Sequence, residues 1–262
     1  MNYYDARRAL DYFFIHSRDR EEYELFLQII MSFFVKPGDS VADVGANHGF
    51  HTACMKNLVG PGGKVWAFEA LPHLAAKLSV DYAGDQSVNV IAKVLTKPGQ
   101  SDKTRFCQVF GNDDAFSGIR QRWDVDESKK YTFVMLPQST LDNEIPESEN
   151  ISFIKVDVEG ADFDVLRGAR RILLQSRPIV VFEYANDAAA QLYDYSHKEF
   201  YDFFNDTGYQ LFRFYGGKYE EQSETFWMLW AVPKENAAAM QFFEHGITAA
   251  ACSFAKAFEP DI

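Results

Sequence analysis

The sequence is poor in cysteine and in long apolar runs, and each shortage argues against a class of protein. The three cysteines are Cys54, Cys107 and Cys252, and none of them forms the C-x-x-C spacing of a zinc site. We therefore expect reduced thiols and no metal site. The most apolar window, residues 26–35, is too short to cross a bilayer, so we expect no membrane partner.

Positive charge is also scarce. Lys and Arg total 26 against 38 Asp and Glu, which gives a formal net charge of −12. Because nucleic-acid binding draws much of its affinity from cationic contacts to phosphate, we expect no nucleic-acid partner. The first residues carry charges and lack a basic region followed by an apolar run, so we expect no signal peptide and a cytoplasmic protein.

Helical patterns occupy both ends of the chain. Apolar residues recur at helical spacing up to about residue 35, and Pro37-Gly38-Asp39 then turns the chain. We interpret residues 1–35 as an N-terminal helical extension. A second, Ala-rich pattern predicts a C-terminal helical tail over 234–262.

Between these ends, short apolar strands alternate with helical segments. The seven main strands are predicted at 40–44, 64–69, 88–94, 151–156, 178–183, 209–215 and 225–232. The alternation predicts an α/β fold with a doubly wound, seven-stranded, mostly parallel sheet of Rossmann-like type. We expect the strand order 3-2-1-4-5-7-6, with the last strand antiparallel. Two more strands, at 104–109 and 131–137, predict a β-hairpin inserted at about 100–140, at the sheet edge or over its carboxyl ends.

The first strand ends in a glycine-bearing turn, Asp43-Val44-Gly45-Ala46-Asn47-His48-Gly49. Gly45 and Gly49 allow the backbone to approach a ligand, and the N-terminus of the following helix favours negative charge. That helix end would accept an amino-acid carboxylate, and Asp43 would bind the matching ammonium. A ligand with both groups is the methionine end of S-adenosylmethionine. The dinucleotide fingerprint is broken, because Asn47 and Phe50 stand where it needs glycine.

Two further strand ends carry carboxylates. Glu69 ends the second strand, where a carboxylate can accept the ribose hydroxyls of an adenosine. Asp157 and Glu159 follow the fourth strand, and two carboxylates placed there without a partner would be costly. Asp162 stands at the start of the next predicted helix, 161–174, and we interpret it as a helix-start charge.

In this order, the motifs resemble those of the FkbM family of S-adenosylmethionine-dependent methyltransferases. The D-V-G-A-N-x-G loop and the I-K-x-D-V-E-G strand end are that family's hallmarks, and the segments 139–142 and 178–183 resemble its T-L-D and following-strand segments. The resemblance covers about residues 36–184 and implies a class I methyltransferase domain at 36–233. The chain departs from the family at Ala70, where proline is common, and at Asp162, where glutamate is common.

The resemblance implies an O-methyltransferase that uses S-adenosyl-L-methionine and acts on a hydroxyl of a small metabolite, sugar or polyketide-like acceptor. Its partner would then be a small-molecule or glycan acceptor. Asp157 is the first candidate for the catalytic base or substrate orienter, and Glu159 is the second. The cofactor-binding residues are predicted to be Asp43, Gly45, Ala46, Asn47, Gly49, Glu69, Ala70 and Asp157.

Other residues near these motifs have weaker assignments. Glu183 ends the fifth strand and would contact substrate. His48 and His51 flank the glycine loop, where each would either pack or shuttle a proton. The segment 111–130 is either a lid over the acceptor or a mobile surface loop.

Two other functions remain open at this point. A nicotinamide-dependent oxidoreductase would use the same type of fold, although the glycine spacing disfavours it. A non-catalytic binding protein would keep the fold without turnover, although the carboxylates at positions 43, 69, 157 and 159 are intact. The aromatic-rich outer helices also suggest a homodimer.

Overall fold

The computed structural model describes residues 21–122, 130–220 and 227–247. Its α-helices are α1 (Glu21–Phe34), α2 (Phe50–Val59), α3 (Pro72–Asp81), α4 (Leu141–Glu144), α5 (Asp162–Arg167), α6 (Arg170–Gln175), α7 (Asn186–Tyr193), α8 (His197–Thr207) and α9 (Ala237–Gln241). Its strands are β1 (Ser40–Val44), β2 (Lys64–Phe68), β3 (Val88–Ile91), β4 (Val94–Leu95), β5 (Lys103–Val109), β6 (Tyr131–Ser139), β7 (Ile151–Val156), β8 (Ile179–Glu183), β9 (Tyr209–Arg213) and β10 (Met228–Pro233). The other described elements are a 3-10 helix, Gly111–Phe116, and a π-helical turn, Phe242–Gly246.

Seven of these strands form one sheet in the order β3-β2-β1-β7-β8-β10-β9. β1 pairs in parallel with β2 and β7, β2 with β3, and β7 with β8, whereas β10 is antiparallel to β8 and β9. Counted along these seven strands alone, the order is 3-2-1-4-5-7-6. The predicted doubly wound α/β sheet and its antiparallel last strand are therefore confirmed. The carboxyl ends of β1, β2, β7 and β8 meet at one edge, where such sheets bind ligands.

The central strands are mostly apolar because helices cover both faces of the sheet. Every residue of β1 and of β10 is buried. One face packs against α5, α6 and α8, and the other packs against α1, α2 and the C-terminal π-helical turn. The predicted N-terminal helix is confirmed over α1, and residues 1–20 lie outside the described residues. Within the part of the chain that the structure describes, no helix is long and apolar enough to span a membrane.

The inserted segment forms a small sheet of its own, in the order β4-β6-β5. β5 and β6 pair antiparallel from Lys103↔Pro137 to Val109↔Tyr131, which confirms the predicted hairpin. The prediction of one continuous third strand over 88–94 is wrong. The chain leaves the main sheet after β3, and two residues later β4 pairs with β6 instead.

This small sheet lies over the carboxyl edge of the main sheet, which was one of the two expected positions. Five buried apolar side chains fix it beside the start of α3 and the end of β2: Leu71, Leu74, Val94, Phe106 and Leu136. Gly118 pairs with Cys107 of β5, and a Cβ on Gly118 would lie 3.7 Å from the Cβ of Glu159. The insertion therefore forms a wall next to the end of β7.

Two helices, α5 and α6, replace the single helix predicted over 161–174. The break falls at Gly168 and Ala169, where the chain passes very close to the segment that follows β4. A Cβ on Gly168 would lie 2.2 Å from the carbonyl oxygen of Thr96 and 3.2 Å from the Cβ of Thr140. The helix is therefore interrupted between α5 and α6, at the point where it contacts the inserted segment.

Asp142 stabilises the helix that begins after this break. Its carboxylate accepts hydrogen bonds from the backbone N–H of Arg171 at 2.7 Å and of Ile172 at 3.0 Å. These N–H groups at the start of α6 have no partner within the helix, so a carboxylate there both bonds them and favours the helix dipole. The Thr-Leu-Asp segment of the sequence thus has a structural role in this fold.

The C-terminal part differs from its prediction in extent. β9 and β10 form the expected antiparallel pair, while residues 221–226 lie outside the described residues. The predicted tail helix is described only as α9 and the π-helical turn, because residues 248–262 also lie outside the described ranges.

We predict that Gly168→Ala lowers the free energy of unfolding by about 1–3 kcal/mol, because the new methyl group overlaps the carbonyl of Thr96. Urea denaturation followed by circular dichroism measures this. The matched control is Gly62→Ala, since a Cβ at Gly62 meets nothing within 4 Å. It should change stability by less than about 0.5 kcal/mol. Equal effects of the two substitutions would contradict the close approach at Gly168.

Candidate functional site

The turn after β1 lies against the end of β7 because Gly45 has no side chain. Its φ is 80°, and a Cβ there would lie 1.8 Å from the carbonyl oxygen of Asp157. The backbone N–H groups of Gly45 and Ala46 both donate to the carbonyl of Phe68, at 3.0 and 2.9 Å, which ties the turn to the end of β2. Gly49, with a φ of 87°, precedes α2, and no side chain caps that helix. The turn is therefore a backbone-lined concavity at a helix N-terminus.

Glu69 joins this turn to the chain that follows β2. Its side chain is buried and accepts the backbone N–H of Asn47 at 2.8 Å and of Leu71 at 2.7 Å. Burial raises the pKa of Glu69, and the two backbone N–H groups act against that rise. The carboxylate faces the glycine turn, and each oxygen retains a second lone pair that can accept a ligand hydroxyl. Ala70 stands between Glu69 and Leu71 and is half-buried.

Asp43 lies in a buried polar network rather than in an open crevice. It is completely buried, and the hydroxyl of Thr52 donates to its Oδ2 at 2.6 Å. Asp43 pairs in register with Lys155 of β7, so both side chains extend from the same face of the sheet. Lys155 Nζ lies 3.9 Å from Asp43 Oδ1 and 3.3 Å from Asp157 Oδ2. One buried ammonium therefore stands between two of the predicted site carboxylates.

The N-terminal helix brings a further carboxylate to this network. Glu24 of α1 lies 2.5 Å from Nε2 of His51, which is buried at the start of α2. Burial alone would lower the pKa of Lys155, but the carboxylates of Asp157, Asp43 and Glu24 together raise it above its ordinary value. These carboxylates therefore favour the ammonium form of Lys155. His51 contacts Glu24 and lies at the start of α2, directly after the glycine turn.

Arg122 connects the ends of β7 and β8. Its guanidinium forms an ion pair with Glu159 and lies 3.8 Å from Glu183 Oε1. Glu159 has a φ of 61°, in the left-handed region, so the turn after β7 holds it in a strained conformation. Because Arg122 belongs to the inserted segment, residues far apart in sequence converge on these two carboxylates. Of the two predicted catalytic residues, Glu159 is engaged by Arg122 and Asp157 by Lys155.

Asp162 is a buried carboxyl next to the same strand ends. Its Oδ2 accepts the N–H of Gly160 at 3.1 Å, and its Oδ1 is buried without a hydrogen-bond partner among the described residues. Burial, with added repulsion from Glu183 and Asp157, raises the pKa of Asp162 far above its ordinary value. The helix-start position predicted for Asp162 is confirmed, since Asp162 is the first residue of α5, and its burial there favours the neutral acid over the charged form.

The histidines nearest the glycine turn face the insertion. His48 and His73 are exposed, and their Nε2 atoms lie 3.7 and 3.9 Å from Oδ2 of Asp114 on the 3-10 helix. This places the insertion across the turn and the start of α3. No group of three or more His, Cys, Asp or Glu in the described ranges has the geometry of a metal site.

Sequence reasoning missed Lys155 and Arg122. The signal for Lys155 was available, because a lysine inside an apolar strand that is buried on both faces needs carboxylate partners. Arg122 gave no such signal, since it stands in a polar segment that only the tertiary structure brings to β7. The structure places Asp43, the glycine turn, Glu69 and Asp157 together at one sheet edge.

The residues present fit an amino-acid nucleoside of the S-adenosylmethionine type. Oδ1 of Asp43 and Oδ1 of Asn47 are buried and lack a hydrogen-bond partner within the described chain. Both are suited to accept N–H groups of a ligand. The cradle at Gly45 excludes any Cβ, and Glu69 supplies a buried carboxylate one strand away. This set of groups offers separate partners for an ammonium, a carboxylate and sugar hydroxyls.

Comparison with known proteins gives a family and two short local matches. The sequence profile described as the methyltransferase FkbM domain matches residues 43–211. A protein-L-isoaspartate O-methyltransferase of Aeropyrum pernix is 50% identical over 40 residues, which is 15% of each chain. The enzyme of the same name from Ignicoccus hospitalis is 44% identical over 43 residues, which is 16% of this chain and 20% of that one. The chain therefore matches only a small part of these two relatives.

Solved structures of similar fold include a methyltransferase FkbM from Methylobacillus flagellatus, with 17% identity and a TM-score of 0.45. That comparison covers 74% of this chain and 43% of the other. The fibrillarin of Aeropyrum pernix, solved with natively bound S-adenosyl-L-methionine, has 15% identity and a TM-score of 0.44, with 76% and 68% covered. A S-adenosylmethionine-dependent methyltransferase of Aquifex aeolicus has 16% identity and a TM-score of 0.42, with 81% and 92% covered.

The profile match spans most of the chain and contains the glycine turn, Glu69, the Thr-Leu-Asp segment and the carboxylates after β7. The family expected from the motifs is therefore confirmed. The mostly parallel, seven-stranded sheet has the Rossmann-like strand order that the sequence predicted. The chain belongs to the FkbM methyltransferase family.

Proposed function

We propose that the protein transfers a methyl group from S-adenosyl-L-methionine to a hydroxyl of a small metabolite, sugar or polyketide-like acceptor. Membership of the FkbM family supports the reaction class. The single observation that carries the cofactor assignment is the glycine turn held against Asp157, with Glu69 buried beside it. That arrangement supplies polar partners for the cofactor, and it leaves no room for a side chain at position 45.

Each end of the cofactor has a matching group in this chain. Asp43 and Asp157 are placed for the ammonium of the methionine part, and the N-terminus of α2 for its carboxylate. Glu69 accepts the ribose hydroxyls with the lone pairs that Asn47 and Leu71 leave open. Ala70 directly follows Glu69 and is proposed to line the same side of the cofactor site. When bound, the cofactor supplies an electrophilic methyl group on a sulfonium.

The acceptor binds beside the ends of β7 and β8. Asp157 is the residue proposed to orient the acceptor hydroxyl and take its proton, because its side chain is partly exposed at this edge. Glu159 serves as a second candidate whose conformation is fixed by Arg122. The concentration of carboxylates here disfavours an anionic acceptor and favours a neutral hydroxylated one.

The inserted sheet is proposed to help exclude water from this edge. It contacts the start of α3 through a buried apolar cluster, and its 3-10 helix faces His48 of the glycine turn. Exclusion of water matters because displacement at a methyl group is aided by alignment and a dry surrounding.

We predict that the protein binds S-adenosylhomocysteine and that Glu69→Gln weakens binding by about tenfold or more, because a charged acceptor of sugar hydroxyls is lost. Isothermal titration calorimetry measures both. The matched control is Glu149→Gln, which lies at the opposite end of the sheet and pairs with Lys64. It should bind as the wild type does.

NADH serves as the competing ligand in the same titration. Binding of NADH in preference to S-adenosylhomocysteine would reject the methyltransferase proposal in favour of an oxidoreductase. Equal loss of affinity in the Glu69 and Glu149 variants would remove Glu69 from the binding site.

We predict that Asp157→Asn lowers methyl transfer by about 10²–10⁴-fold, the range typical of a positioned general base. The assay follows labelled methyl groups from S-adenosylmethionine into a panel of sugars and hydroxylated metabolites. Asp81→Asn on the surface of α3 is the matched control, since it pairs only with Lys77 at one helical turn among the described residues.

Unchanged turnover in Asp157→Asn would show that this carboxylate is not the base. Binding of S-adenosylhomocysteine without transfer to any acceptor in the panel would instead favour a non-catalytic binding protein.

A further inference from the structure

Among the described residues, Lys155 is the most deeply buried cationic side chain near the site, and the proposed reaction does not yet use it. It is 3% exposed and stands in β7 between apolar neighbours that are also buried. A lysine is rarely buried unless it is paired, because removing an ammonium from water is costly. An apolar side chain of similar length would fill the same space without that cost, which argues for a role beyond packing.

The charged groups that face Lys155 come from three elements. Asp43 of β1 and Asp157 at the end of β7 lie within 4 Å of its Nζ. Glu24 of α1 contributes a further negative charge and is itself in contact with His51 of α2. The positive charge of Lys155 therefore partly neutralises the negative charges of these three carboxylates.

Other groups around the two aspartates add no cation to this balance. Cys54 of α2, Tyr82 after α3, and Glu69 lie close enough to Asp43 for its charge to raise their pKa values. Asp162 in turn has its pKa raised by Asp157. Among the described groups that face Asp43 and Asp157, Lys155 is the cation nearest to both.

We propose that Lys155 is a positioning residue that holds Asp43 and Asp157 ionised and aligned for the ammonium end of the cofactor, a role that rests on the function proposed above. The carboxylates that face Lys155 outnumber its one positive charge, so negative charge remains beside Asp43 and Asp157 for an incoming ammonium. Oδ1 of Asp43 has no hydrogen-bond partner in the described residues and remains available to that group. Lys155 acts through the carboxylates and does not touch the reacting atoms.

Removal of the Lys155 ammonium should change the affinity for the cofactor in a way that depends on pH. Without Lys155, two carboxylates would share a buried site, and the pKa of at least one would rise. The protonated form cannot bind an ammonium, so cofactor affinity should fall as the pH is lowered. In the wild type, the ammonium of Lys155 lies within 4 Å of both carboxylates, so no such loss of affinity is expected over the same range.

The test compares Lys155→Met, Lys155→Arg and the surface control Lys77→Met. S-adenosylhomocysteine is titrated calorimetrically between about pH 6 and pH 8.5. In Lys155→Met, we expect binding to weaken by about tenfold or more at the acidic end and to recover towards the wild-type value at the basic end. Lys155→Arg should keep the flat wild-type profile even if its affinity is lower. Lys77→Met should match the wild type throughout.

Unfolding in the absence of ligand gives a second measurement. In Lys155→Met, the folded-state pKa of a buried aspartate is raised, so its contribution to stability is present at low pH and lost as the pH rises through that value. The melting temperature of this variant should therefore fall further below that of the wild type as the pH increases. The double variant Asp43→Asn/Lys155→Met removes both charges and should fold with much less of this pH dependence.

The outcomes separate the two proposals. Failure of the wild type to bind S-adenosylhomocysteine would overturn the proposed function and this role together. Wild-type binding, with Lys155→Met weaker by the same factor at every pH, would leave the function intact and show that Lys155 only fills space. If the affinity of Lys155→Arg for S-adenosylhomocysteine depended on pH in the same way as that of Lys155→Met, the positive charge at position 155 would not have the proposed role.

Discussion

The close approach of two backbone segments at Gly45 and Asp157 is the constraint on which the site depends. The turn after β1 and the end of β7 are so near that a single added Cβ would overlap a carbonyl oxygen. This contact fixes the turn beside Asp157 and leaves a concavity lined by backbone at the start of α2. Because parallel neighbours bring their carboxyl ends together, the same contact sets Asp43, Glu69 and Asp157 at one edge of the sheet.

Charge is the second constraint, and it follows from the first. A sheet covered on both faces gives its carboxylates little access to water, so each must find a partner within the protein. Asp43 uses Thr52 and the ammonium of Lys155, Glu69 uses backbone N–H groups, and Glu159 uses Arg122. Asp162 has no cation within this set, and its raised pKa favours the neutral form. The site therefore combines carboxyl groups that have a cationic partner with one that has none among the described residues.

The inserted sheet adds further contacts at this edge of the main sheet. It supplies Arg122 to the ends of β7 and β8 and presents Asp114 to the histidines around the glycine turn. Its approach also breaks the helix after β7 at Gly168. The main sheet thus gains a distinct wall from one insertion, and loops and insertions on a rigid fold are where binding residues usually lie.

The sequence by itself determined the order of strands, the glycine turn, and the carboxylates at positions 43, 69, 157 and 159. These features are local, since apolar runs, glycines and strand-end acids are legible within a few residues of one another. Only the tertiary structure decided which groups neutralise these carboxylates. It also split the predicted third strand between two sheets and divided the helix at Gly168, because both outcomes depend on where the insertion packs. Burial and distance are properties of the assembled chain, so the partnership of Lys155 with Asp43 and Asp157 could be seen only after β1 and β7 were placed side by side.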